Sequence, residues 1–243
     1  DAAHLKEGRV TQVVKDVKLG SPQALPRRVA VGESFRDGDS ISTGVIGRSE
    51  LTFADQTVAR LGGNTNVSFS NGTRTVDLGE GALLFQISNR AGRLKIKTAG
   101  IAVASTGATA IIERHGEFYV KVLVLEGTVR CYLTNRLGES LLLQPGQILI
   151  TKPNVTALAE PADFDLAREM KTCLLVRDFQ PLPSQRRIES EEQKQLNLIA
   201  KGTYVPSNLV ILGRGTQVTL VNAQSTMPPA KRLTNTVDQS PTR

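Results

Sequence analysis

What this sequence lacks narrows its chemistry before any motif is considered. Tryptophan is absent, aromatics make up 4%, and 243 residues hold only two histidines, two cysteines and two methionines. His4 and His115 stand far apart, and neither His-x-His nor His-x-x-x-His occurs, so the clustered imidazoles of zinc or iron sites are missing. No glycine-rich phosphate loop ends in its lysine, and Gly79-Glu80-Gly81 lacks the third glycine and helix of a dinucleotide site. A Gly-x-Ser-x-Gly nucleophile turn is also missing. No catalytic, metal or cofactor residue is therefore nominated, and no cofactor is expected. A glycosidase built on two carboxylates stays open as a lesser alternative, because such pairs converge only in space.

Long apolar runs are absent too. A membrane helix needs about 20 mostly apolar residues. The densest stretches, Tyr119 to Leu125 and Leu141 to Ile150, are short and broken by Lys121, Gln144 and Gln147. No transmembrane segment is expected.

What is present is a succession of short strands from Gly38 to Thr151. In Ser49-Glu50-Leu51-Thr52-Phe53, Leu51 and Phe53 fall on one face and Glu50 and Thr52 on the other, the two-residue period of a half-buried strand. Asp55-Gln56 makes a turn, and Thr57 to Leu61 follows with less cleanly separated faces. Gly62-Gly63-Asn64 ends that run with residues that tolerate positive φ. Val67 and Phe69 start another strand that Asn71-Gly72 closes as a hairpin turn. His115-Gly116 turns the chain between Ile111-Ile112 and Phe118-Tyr119.

The ordered set of these residues resembles the FecR domain, an extracytoplasmic module of bacterial envelope proteins. The resemblance rests on Gly38-Asp39, Thr43-Gly44, Glu50-Leu51, Phe53, Asp55 and Leu61, and continues through Leu78-Gly79-Glu80-Gly81, Gly127 and Pro145-Gly146. These positions are expected to determine the fold. Gly107-Ala108-Thr109-Ala110 departs from the family, which usually shows Gly-Thr, a polar residue and an aromatic there. The resemblance implies extracytoplasmic sensing or protein docking, with an envelope protein as partner and exposed strand edges as the means. The alternative is an envelope scaffold or glycan-binding module without a signalling role.

The formal charge is +7. Arg93, Lys95 and Lys97 share one strand face opposite Leu94 and Ile96, a stripe suited to phosphate, anionic lipid or acidic glycan, or simply to solvent. Aromatics do not alternate with these charges as base stacking requires, which argues against nucleic acid. Cys131 and Cys173 have two readings. In an oxidising compartment they could form a disulfide worth about 4 kcal/mol in chain-entropy terms; otherwise they are two buried thiols. The chain starts at Asp1 without methionine, which fits removal of a signal peptide and a periplasmic or secreted location.

Four segments are expected. Residues 1–37 hold N-terminal strands and a linker at Gly20-Ser21-Pro22 and Leu25-Pro26, and 38–151 form the FecR-like β-domain. Residues 152–223 carry a helix capped by Asp163 or Asp165, a second capped by Ser190, and a hairpin of Leu209 to Leu212 with Gln217 to Leu220. Residues 224–243, rich in Pro, Thr, Asn and Ser, form a disordered tail. The expected fold is mainly β, a two-layer β-sandwich or short flattened β-solenoid with one or two short C-terminal helices. A non-enzymatic protein is expected.

Overall fold

The computed structural model describes residues 7–70, 74–88, 91–136, 138–204, 206, 209–212 and 217–220. In chain order the strands are β1 (Glu7–Val14), β2 (Val17–Ser21), β3 (Ala24–Arg28), β4 (Ser34–Arg36), β5 (Ser40–Thr43), β6 (Arg48–Phe53), β7 (Val58–Leu61), β8 (Asn66–Phe69) and β9 (Thr75–Gln86). They continue with β10 (Leu94–Thr98), β11 (Ile101–Ser105), β12 (Ala108–His115), β13 (Tyr119–Gly127), β14 (Val129–Leu133), β15 (Ser140–Leu143), β16 (Gln147–Thr151) and β17 (Ala162–Asp163). Helices α1 (Leu166–Thr172), α2 (Leu174–Arg177) and α3 (Gln185–Ala200) follow, then the hairpin of β18 (Leu209–Leu212) and β19 (Gln217–Leu220).

Strands β1 to β17 connect into one ladder folded into two facing layers. One layer runs β4-β1-β6-β7-β9-β12-β13-β16-β17. The other runs β3-β2-β5-β8-β9-β10-β11-β14-β15. Strand β9 belongs to both, pairing with β8 up to Glu80 and with β12 from Gly81. Gly81 makes that crossing with φ +90, and a Cβ there would lie 2.5 Å from Thr65 Cα and 2.7 Å from Asn64 O. Only glycine fits so close to a neighbouring backbone at such a φ. Among the described residues every pairing is antiparallel except that of β9 with β10.

Between the layers lies the main core, with Leu51, Leu61, Val67, Ile96, Val103, Ile112, Val122 and Cys131 among its members. Phe35, Phe53 and Phe69 form an aromatic cluster at one end, with Phe35 stacked on Phe69 at 4.8 Å and Phe53 edge-on to both. Apart from Phe85, aliphatic and β-branched residues fill most of the rest, as thin facing sheets favour.

A second core lies on the far side of the β6-β7-β12-β13 layer, where Val58, Leu84, Ile111 and Leu123 meet Phe164, Leu175, Leu182 and Ile188 from the C-terminal segment. This layer is called the covered sheet below, and the other the open sheet. The second core explains the unclean alternation of β7. Both of its faces are buried, Ala59 and Leu61 inward and Val58 beneath the helices.

Three departures from the sequence reading have local causes. There are three C-terminal helices, since the run after Cys173 forms the short α2. The expected linker is the β2–β3 hairpin, which turns at Pro22-Gln23 and keeps Pro26 on an edge strand where no amide is demanded of it. Asp165 caps α1 through Arg168 N, as expected, whereas Ser190 lies inside α3, which begins after Ser184. The breaker Pro181-Leu182-Pro183 ends immediately before that start. The Asn71-Gly72 turn, His4 and residues 224–243 lie outside the described residues.

Candidate functional site

The positions that carry the family resemblance hold turns and core. Asp39 accepts a hydrogen bond from Arg36 N at 2.8 Å, and Gly38, at φ +88, donates its N–H to Phe69 O at 3.0 Å. Thr43 donates to Gly62 O at 2.6 Å and accepts from Thr65 N at 2.9 Å, while Gly44 N donates to Asp16 O. Asp55 accepts from Thr57 N at 2.8 Å and pairs with Arg74. Leu51, Phe53 and Leu61 are buried. Gly127 sits where a Cβ would meet Gly107 O at 2.5 Å, and Gly146, after Pro145, accepts from Phe164 N, which anchors the start of the helical segment.

Sequence reading missed a buried polar seam between the covered sheet and the helices. Arg60, 1% exposed, donates to Glu50 at 2.8 Å, to Leu175 O at 3.0 Å and to Gln180 O at 2.5 Å, with Phe179 stacked 4.9 Å from its guanidinium. Burial lowers its pKa, and the Glu50 carboxylate opposes that shift. Lys121 Nζ lies 2.5 Å from Glu113 Oε2 with both side chains buried. Glu169 of α1 is buried near that pair; desolvation raises its pKa to about 7, partly offset by Lys121. Desolvation raises Glu113 as well, against the pull of Lys121. Farther along, Thr109 donates to Glu126 at 2.8 Å and shares a 2.7 Å hydrogen bond with Ser184, and Arg187 closes on Glu126 at 3.1 Å. Charged residues within largely apolar strands, Arg60 in β7, Glu113 in β12 and Lys121 and Glu126 in β13, were the sequence signal of this seam. It fastens one layer to another.

Cys131 and Cys173 are free thiols, which corrects the disulfide reading. Cys131 belongs to the core between the sheets and Cys173 to the core under the helices, so the covered sheet separates them. Burial pushes the Cys131 thiol up to about 12 and also raises Cys173 well above its usual range.

Two features remain exposed. The outer face of the open sheet bears Lys95 and Lys97 on β10 opposite buried Leu94 and Ile96, with Arg93 just before the strand. The other feature is the sheet edges. Strand β4 is three residues long, β17 two, and β3 carries Pro26. Among the described residues strand β15 pairs with β14 alone and contains neither proline nor charge, so its outer edge has no strand partner there. Among the described residues no three His, Cys, Asp or Glu side chains gather as metal ligands, and no helix is long and apolar enough to cross a membrane.

A two-layer β-module with one face sealed by helices and the other left open defines the class of this protein. Within it, residues 39–130 match the family described as FecR protein. The match spans β5 to β13 and reaches the start of β14; Pro145 and Gly146 lie beyond it. Strands β1 to β4 and β15 to β17 extend the same two sheets. No curated protein matches the sequence. Two crystal structures of a "putative anti-sigma factor" from Parabacteroides distasonis ATCC 8503, at 1.65 and 2.50 Å resolution, are similar at 18% and 16% identity, each with a TM-score of 0.44. They cover 53% and 54% of this chain, and 61% and 63% of their own length is matched.

Proposed function

We propose that this chain is a non-enzymatic, extracytoplasmic FecR-like module, periplasmic or secreted, that docks an envelope protein in signal sensing. The observation that carries this reading is the β15 edge of the sheet that also contains part of the FecR domain. Strand addition there would extend the open sheet through main-chain hydrogen bonds, with Leu142, 43% exposed, as an apolar contact. The other three edges of the two facing layers, β4, β17 and β3, are shorter or carry a proline.

In an antiparallel pair, hydrogen bonds to the neighbour alternate along the strand, so of Leu141 and Leu142 one N–H faces β14 and the other faces outward. Leu141→Pro and Leu142→Pro are therefore compared, together with the native chain, in affinity capture from envelope extract of the source organism with mass spectrometry. One variant keeps native thermal stability, and that variant is expected to lose a protein that the native chain retains. Retention of the same protein by the stable variant would overturn docking at β15.

A further inference from the structure

We propose that the outer face of the open sheet is a binding trough for an acidic polysaccharide of uronate type, a ligand that goes beyond protein docking at the β15 edge. The cross-strand registers place one residue per strand in a row: Ser40 opposite Ser68, Ser68 opposite Asp77, Asp77 beside Lys97, Lys97 opposite Ala102, Ala102 opposite Tyr132, and Tyr132 opposite Ser140. Seven strands with six spacings make a track of about 29 Å. The next row, Lys95-Ala104-Arg130, adds charge alongside it.

Any solvent-facing sheet is polar. Three observations distinguish this one. The face is concave: a hollow of about 570 Å³ over Asn66, Ser68 and Asp77 adjoins one of about 530 Å³ over Lys95, Arg130 and Tyr132, and both are lined by Lys97 and Thr134. Four of its cations are not neutralised: Arg93, Lys95, Lys97 and Arg130 form no ion pair with the described residues, Arg130 donating instead to the Ser140 hydroxyl at 3.0 Å. The third is the aromatic: Lys95 Nζ reaches over the ring of Tyr132, 5.4 Å from its centre, so a charge and a flat apolar surface are presented together.

The mixture of groups selects the ligand class. A chain of sugar acids carries carboxylates for the lysines and hydroxyls that can donate to Asp77 and exchange hydrogen bonds with Ser40 and Ser68. A polyphosphate offers mainly acceptors near Asp77, whose carboxylate would repel it. Nucleic acid would find one aromatic on this face and no ladder of rings for its bases. A flat anionic bilayer would not reach into the two hollows.

The test measures binding of sodium polygalacturonate by the full chain at two salt concentrations, beside neutral dextran, a single-stranded oligonucleotide and phosphatidylglycerol vesicles. Polygalacturonate is expected to bind, more weakly at high salt, and dextran not to bind. The double variant Lys95→Glu/Lys97→Glu should weaken polygalacturonate binding at least about tenfold, from four small charge effects, and Lys95→Gln/Lys97→Gln by less. Tyr132→Ala should also weaken it, whereas Arg186→Glu on the helical layer should leave it unchanged. Absence of polygalacturonate binding, equal binding in the Lys95/Lys97 variants, or tighter binding of the oligonucleotide or vesicles would each overturn the proposal. Partner loss in the β15 proline variant with polygalacturonate binding retained keeps the two sites distinct.

Discussion

At the scale of single residues, Phe53 shows how directly a strand pattern becomes stability. Its alternation with Glu50 and Thr52 requires an inward side chain, and the structure places it against Phe35 and Phe69. Phe53→Ala should cost about 3 to 5 kcal/mol in chemical denaturation; a near-neutral effect would remove Phe53 from the core. Glu169 behaves differently, because its partners come from elsewhere in the chain. Its folded pKa, about 7, lies above the ordinary 4.5, so the folded state holds the proton more tightly than the unfolded chain does. This contribution to stability is fully present below pH 4.5 and is lost as pH rises through 7. The loss amounts to about 3 kcal/mol at 1.36 kcal/mol per pKa unit. Glu169→Gln should therefore flatten the decline in stability between pH 5 and pH 8, while the raised Glu113 beside Lys121 keeps some slope in the same direction. An unchanged profile would show that Glu169 does not titrate in that range.

Among the elements, the helical segment owes its place to specific polar contacts as much as to Leu175 and Ile188. The Ser184 hydroxyl meets Thr109 instead of capping α3, and Thr109 also bonds Glu126, which Arg187 of α3 holds from above. Thr109→Val removes one partner from two buried polar groups and should cost about 1 to 3 kcal/mol. Hydrogen exchange should show the loss in α3 amides before it appears in β12. Equal loss in both would mean that helix and sheet open together. Asp165 as a cap and the β18–β19 pairing were legible locally, because a cap and a hairpin are decided within a few residues. The start of α3 was not, since Glu191-Glu192 make Ser190 look like the cap, whereas Pro181-Leu182-Pro183 and the contact with Thr109 choose Ser184, which basic residues follow.

For the molecule as a whole, the two sheets and their helical cover divide the interior into separate cores and determine the state of the cysteines. Native protein should show no reactive thiol toward a labelling reagent, and two after unfolding, matching Cys131 and Cys173. Its unfolding temperature should not respond to reductant. Native labelling would show that one of the cores opens. The sequence by itself determined the β class, the order of strands and turns, the family resemblance and the basic stripe at Lys95 and Lys97, because each depends on short-range periodicity or on which residues are present. Only the tertiary structure decided which sheet face is sealed, that Lys121 and Arg60 are buried, that Cys131 and Cys173 stay apart, and that β15 is left open. Those outcomes depend on contacts between residues tens of positions apart, and β7 shows why: a residue's neighbours on the second face of a strand are set by what packs there, in this case a segment more than 100 residues later whose Leu175 O accepts a hydrogen bond from Arg60.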